Sequence, residues 1–243
     1  MKKAQLFITC LADQFHTQTL QNMTLLLESL GVKLEFPAGQ TCCGQPLFNN
    51  GFEDKTLSIA INFMHAFENS DAPIVGPSGS CVSMVKHHYP SLFPAGTAEH
   101  ALALNIAGRI YEFTEYLVNV LQVTDVGAIY PHRVIYHASC HTLREMGLRR
   151  EAKTLLQAVR GLELIALADE ETCCGFGGAF SVTYPQVSRS MMENKVKNII
   201  ASQADTVVMC EPGCLMNVAG GLRKAGSTVH AMHIIDLLAK REA

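Results

Sequence analysis

The tetrapeptide Thr-Cys-Cys-Gly occurs twice, at residues 41–44 and 172–175, and each copy is the middle of a longer cysteine frame. Upstream of each copy an apolar run ends in a cysteine, Cys10 in LFITC and Cys140 in VIYHASC. Downstream, each reaches another, Cys81 in IVGPSGSC and Cys214 in VVMCEPGC. The pairs Cys10/Cys140, Cys42/Cys173, Cys43/Cys174 and Cys81/Cys214 stand 130, 131, 131 and 133 residues apart. So constant an offset marks an internal duplication, and a duplicated cysteine frame marks a duplicated metal or redox site. A chain of 243 residues that repeats itself at about half its length is expected to fold as two similar domains. The Thr, Asp and Gly residues near 124–127 place the boundary at 125–131, giving domains 1–125 and 126–243.

Within each repeat, apolar runs alternate with helical periodicity. In the first, AQLFITC reads as a strand and TLQNMTLLLESLG as a helix with Gly31 as its C-cap; VKLEF follows as a second strand. AGQTCCGQP has the composition of a loop, EDKTLSIAINFMHAFEN of a helix, and APIVGPSGSC of a strand entering a Gly/Ser loop. The second half repeats the order through RVIYHASC, REAKTLLQAVRG, LELIAL, the loop DEETCCGFGG, a helix from Pro185, and TVVMC. STVHAM and the closing helix HIIDLLAKR come last. This alternation predicts an α/β fold, each domain a largely parallel sheet flanked by helices, with all the cysteines on loops at the carboxyl ends of strands. The segment 97–121 is expected to be one long connecting helix without a cysteine.

A net charge of −3 without a basic run excludes the electrostatic footprint of a nucleic-acid binder. No apolar stretch reaches the roughly 18 residues of a membrane span. The start MKKAQLFITCLADQF imitates a signal peptide but reads as a first strand that delivers Cys10, so the chain is expected to be cytoplasmic. There, nine thiols are better explained by metal or redox chemistry than by disulfides.

Thiolates suit zinc, copper(I) and iron–sulfur clusters. The frames are C-x31-C-C-x37-C and C-x32-C-C-x35-C-x3-C, unlike the paired knuckles of structural zinc. Adjacent cysteines bend awkwardly to one tetrahedral ion, whereas a cluster of several irons spreads its ligands over a few ångströms. Iron–sulfur clusters are thus favoured, and zinc in one half stays open. The candidate ligands are Cys10, Cys42, Cys43 and Cys81, then Cys140, Cys173, Cys174 and Cys214, with Cys210 an additional candidate.

The frame, together with YHASCHTLREMG, TCCGFGGAFSV and CEPGCLMN, resembles the cysteine-rich CCG-domain family over nearly the whole chain. Its members include the CCG-bearing subunit of heterodisulfide reductase, the iron–sulfur subunit of glycolate oxidase and the lactate utilization proteins, to which these motifs are most similar. The resemblance implies 4Fe–4S clusters, cubane or non-cubane, in a subunit that relays electrons from oxidation of L-lactate or another 2-hydroxy acid. Such a subunit acts with partners, among them a ferredoxin-type iron–sulfur protein, rather than as an enzyme alone. Two other readings are a thiol–disulfide oxidoreductase subunit of the heterodisulfide reductase kind and a zinc-stabilised interaction module. The full family motif ends in C-x-x-C; here Ser78 and Glu211 stand where its earlier cysteine would be, so the non-cubane form is in question.

Gly175, Gly177 and Gly178 either let backbone amides approach the cofactor or simply form a turn. His137 and His141 flank Cys140 as second-sphere partners or ligands. Arg144, Arg149 and Arg150 read as a solvated face more readily than as a carboxylate-binding patch, and Glu211 as an exposed residue. GFGG lacks the spacing of a dinucleotide fingerprint.

Overall fold

The computed structural model describes residues 2–241. The chain divides into two compact units, residues 1–116 and 117–243. The first contains the strands β1 (Lys2–Leu6), β2 (Val32–Glu35), β3 (Ile74–Gly76) and β4 (Ile110–Glu112), in the order β2-β1-β3-β4 with every pairing parallel. The second contains β5 (Arg133–Tyr136), β6 (Glu163–Leu164), β7 (Thr206–Met209) and β8 (His230–His233), ordered β6-β5-β7-β8 and again parallel. This is the expected α/β architecture, present twice. The central strands are apolar because helices cover both faces: β3 and β7 are buried along their whole length.

The register superimposes the halves residue by residue. Past the end of β1 the Phe7 amide donates to Val75 O at 2.9 Å, and past β5 the His137 amide donates to Val208 O at the same distance. The long helices Glu53–Phe67 and Pro185–Ala201 bury matching positions: Thr56, Phe63, Met64 and Phe67 in one, Ser188, Lys195, Val196 and Ile199 in the other. The cores differ in kind. In the first unit Phe7, Phe63, Phe67 and Tyr89 form an aromatic cluster, with Phe7 edge-on to Phe63 at 4.8 Å between centroids. Gly76 makes room for it, since a Cβ there would sit 3.0 Å from the Phe7 ring and 3.2 Å from Val82. The second core is aliphatic, built on Ile135, Val196, Ile199, Val207, Val218 and Leu222.

Residues 97–121 are not one helix. The helix Ala98–Arg109 ends where Ile110–Glu112 pairs with β3 as the edge strand β4, followed by the turn Phe113–Glu115 and a π-helix, Tyr116–Val120. Helical periodicity was the wrong guide here because Arg109 anchors the helix end. Its buried guanidinium donates to Gln5 Oε1, Ala72 O and Phe67 O at 2.6–2.9 Å. Glu112 then restarts the chain as a cap, accepting from the Thr114 and Glu115 amides while Glu115 accepts from the Glu112 amide. Gly31 does close its helix, at φ +76°. Among the described residues no helix is long and apolar enough to cross a membrane.

Candidate metal centres

Three adjacent strands deliver each set of four cysteines to one end of a sheet. Cys10 opens the helix Cys10–Phe15 after β1, Cys42 and Cys43 lie in the loop after β2, and Cys81 sits in the first turn of Gly79–Ser83 after β3. In the second unit Cys140 immediately precedes the π-helix His141–Glu145, Cys173 and Cys174 lie in the loop beyond β6, and Cys214 is in the first turn of Pro212–Lys224. The expectation that every cysteine lies on a loop therefore needs correcting. The Cys-Cys pairs do, whereas the outer cysteines sit at helix starts, where free backbone amides face the sulfurs.

Each set forms a chain of touching thiols in the same order. Cys10 Sγ and Cys42 Sγ are 3.6 Å apart, and Cys43 bonds both Cys42 and Cys81. In the second unit Cys173 bonds Cys140 and Cys174, and Cys174 Sγ lies 3.2 Å from Cys214 Sγ. Hydrogen bonds from Cys10 and Cys43 pull the Cys42 thiol down to about 2, and those from Cys140 and Cys174 do the same to Cys173. The neighbours move the other way: Cys10 and Cys43 are pushed up by Cys42, and Cys140 and Cys174 by Cys173, with burial adding to each. Four thiols so close cannot all ionise without a cation among them.

Backbone amides complete the sulfur environment. The Gly175 amide donates to Cys173 Sγ at 3.3 Å, and the amides of Gly44 and Cys43 do likewise for Cys42. Gly175 adopts φ +88° and approaches the helix behind it so closely that a Cβ would lie 2.6 Å from Ser188 O, so glycine alone fits. Gly177 and Gly178, at φ +53° and +58°, shape the turn into Ala179–Thr183. The Phe176 amide, which the sequence did not single out, bonds Cys174.

Several polar groups are buried around the thiols. Thr9 Oγ1 and Ser139 Oγ, each one residue before the first cysteine of its frame, are buried with no hydrogen-bond partner. Both ring nitrogens of the fully buried His137 are likewise without one, yet a ring nitrogen lies within 4.8 Å of the sulfurs of Cys174 and Cys214. Cys214 is held well below the usual thiol range, first by Cys174 and then, against its burial, by His137 and Ser139, whose polar atoms lie near its sulfur without closing a hydrogen bond of good geometry. His141 Nδ1 is 3.6 Å from Cys140 Sγ. Soft thiol donors, amide-to-sulfur bonds and orphaned polar atoms at both sites fit a thiolate-bound metal group.

Cys210 lies just past β7, fully buried, with its sulfur 3.5 Å from Tyr136 Oη; it is not part of the His137, Cys174 and Cys214 group. Ser78 caps its helix by accepting from the Cys81 amide at 3.4 Å. Glu211, expected to be exposed, is only 7% exposed, because it occupies the cap position of Pro212–Lys224. Arg144 donates to Glu171 O, and Arg149 lies 3.6 Å from the Glu171 carboxylate, so these cations brace the loop that leads to Cys173.

Four residues not singled out as site candidates also hold the cysteine loops. Tyr89 Oη donates to Cys43 O at 3.0 Å and Asn217 Nδ2 to Cys174 O at 2.9 Å. Gln40 accepts from the Ile8 amide at 2.7 Å and donates to Leu6 O. Lys195, 1% exposed, donates to Asp169 O and Glu170 O. Lys195 left a signal: it shares a helical stripe with Ser188, Met192 and Ile199, which face the core.

The cysteine-rich domain profile known as CCG matches residues 4–86 and again 134–219. The chain is 40% identical over 238 residues to lactate utilization protein A 2 of Bacillus cereus (strain 03BB102), covering 98% of each. It is 44% identical over 239 residues to lactate utilization protein A of an Exiguobacterium species, covering 98% of this chain and 97% of that one. Among solved structures, a hypothetical protein from Helicobacter pylori superimposes with a TM-score of 0.64 at 10% identity. That match takes in all of this chain, which spans 49% of the other.

Proposed function

The chain belongs to the cysteine-rich CCG-domain family, and on that premise we propose that it is an iron–sulfur electron-transfer subunit of a complex that oxidises L-lactate or a similar 2-hydroxy acid. The observation that carries this reading is the four-thiol chain, formed twice at equivalent strand ends and backed by amide-to-sulfur bonds. The substrate class comes from relatives whose names state lactate utilization. Cys10, Cys42, Cys43 and Cys81 hold one centre; Cys140, Cys173, Cys174 and Cys214 hold the other. When bound, such a centre supplies reversible one-electron storage. The chain's own part is to neutralise and bury it: the amides of Gly44 and Gly175 spread negative charge off the sulfurs, and Tyr89 and Asn217 fix the loop carbonyls. The other subunits, a ferredoxin-type iron–sulfur protein among them, supply the substrate site and the electron acceptor, and the complex works in the cytoplasm. In the reconstituted complex, L-lactate should produce a paramagnetic signal that disappears when this chain is omitted. No lactate-dependent signal from this chain's centres would contradict the reading.

The sulfur separations favour a second reading for either half, a single zinc ion. Four thiolates at 2.3 Å from zinc sit roughly 3.8 Å apart, close to the 3.6 Å of Cys10 and Cys42 and the 3.2 Å of Cys174 and Cys214. A multi-iron cluster parts its ligand sulfurs further. Zinc in stoichiometric amount with no labile sulfide would establish this reading and exclude electron transfer by that half.

A further inference from the structure

The two centres share a thiol frame but not the side chains behind it. At the position fixed by the amide bond to the neighbouring strand, the first unit has Phe7 and the second His137. At the matching buried position of the long helix, the first has Phe63 and the second Lys195. Phe7 and Phe63 are in contact, edge to face, so the exchange replaces a packed aromatic pair with an imidazole and a buried ammonium. Both replacements concern the sulfurs directly. His137 reaches within 4.8 Å of Cys174 and Cys214 with no other hydrogen-bond partner. Lys195 is anchored on the carbonyls of Asp169 and Glu170; burial pulls its ammonium below the usual lysine range, and the charges of Cys174, Asp169, Cys173 and Cys214 oppose that shift. The Asp169 carboxylate also acts on this charge, but it is exposed and accepts from Asn198, so it lies in water where its field is screened.

Resting on the electron-transfer reading above, we propose that the second centre has the higher reduction potential and that His137 and Lys195 set the difference. Reduction adds one negative charge to a centre. A buried cation and a polar ring facing the sulfurs stabilise the added charge, whereas two phenyl rings only remove water and leave it uncompensated.

The test is an anaerobic redox titration of the full chain with its clusters, followed by paramagnetic resonance, with iron and sulfide counted in each sample. His137→Phe and Lys195→Met borrow the apolar character of the first half. Each should lower the second centre's potential enough to change its reduced-to-oxidised ratio about tenfold, 59 mV for a one-electron couple, and leave the first centre where it was. His137→Asn, which keeps a polar group, should recover part of the shift. A second centre that titrates below the first, or potentials unmoved in variants with full cluster content, would overturn the inference alone. Absence of labile sulfide from the unmodified chain would overturn the electron-transfer reading and the inference with it.

Discussion

The loops that carry Cys42–Cys43 and Cys173–Cys174 place their sulfurs alike but are held by different chemistry. Neutral groups hold the first: the Gln40 amide bridges Ile8, Leu6 and Pro37, and the Tyr89 hydroxyl takes the Cys43 carbonyl. Charged groups hold much of the second, with Lys195 on Asp169 O and Glu170 O and Arg144 on Glu171 O, while Asn217 takes the Cys174 carbonyl. At the ends of β4 and β8 the halves differ again, since Glu112 caps the next turn in one and His233 in the other. Backbone geometry survives duplication because the sulfurs need it. The residues behind the loops are free to diverge because a carbonyl accepts from an amide, a hydroxyl or an ammonium alike, and this divergence changes the electrostatics at each centre.

The sharpest way to break the comparison is to empty one half. Cys42→Ser should remove the metal of the first centre only and Cys173→Ser that of the second only, so each variant binds about half the metal of the parent. If either variant loses all its metal, the halves are not independent sites. Next in size is the aromatic core. Phe63→Ala should destabilise the first unit by about 3–5 kcal/mol in urea unfolding of the metal-free chain. Lys195→Met in the second should cost about 1–3 kcal/mol, the penalty for loop carbonyls left without a donor. Equal costs would remove the contrast between the two cores.

The glycines give a smaller and more local test. Gly175→Ala should cost about 2–3 kcal/mol, because the left-handed conformation coincides with a contact 2.6 Å from Ser188 O. Gly44→Ala, at φ +79° but meeting only side-chain atoms, those of Ile59 at 3.3 Å and Thr56 at 3.7 Å, should cost about 1–2 kcal/mol.

Smallest per step is a pH effect confined to the first unit. Burial raises the Glu112 carboxyl from 4.5 to about 8, and its Oε1 has no hydrogen-bond partner. The folded unit therefore binds a proton that the unfolded chain releases above 4.5. Stability should fall by about 1.4 kcal/mol for each pH unit between those two values. Thermal or urea unfolding across that window should show the slope, and Glu112→Gln should flatten it.

The duplication, the parallel sheets and the eight frame cysteines were legible because they depend on spacing and on residue types with few other uses in that pattern. β4 was not, because Ile110–Glu112 continues the apolar rhythm of the helix before it, and the break comes from the long-range bonds of Arg109 to Gln5 and Ala72. Cys210 stands one residue short of the family position, held here by Glu211, and in space its sulfur meets Tyr136 Oη. The burial of Glu211 and Lys195 escaped notice because charge predicts exposure, unless the helical stripe is given more weight than the residue type.

One measurement bears most directly on the claim that both frames are electron-transfer centres: iron, labile sulfide and zinc counted per chain after anaerobic purification. The account predicts iron and sulfide in equal amounts, about four of each per half, with zinc absent. Zinc bound in both halves without labile sulfide would contradict it.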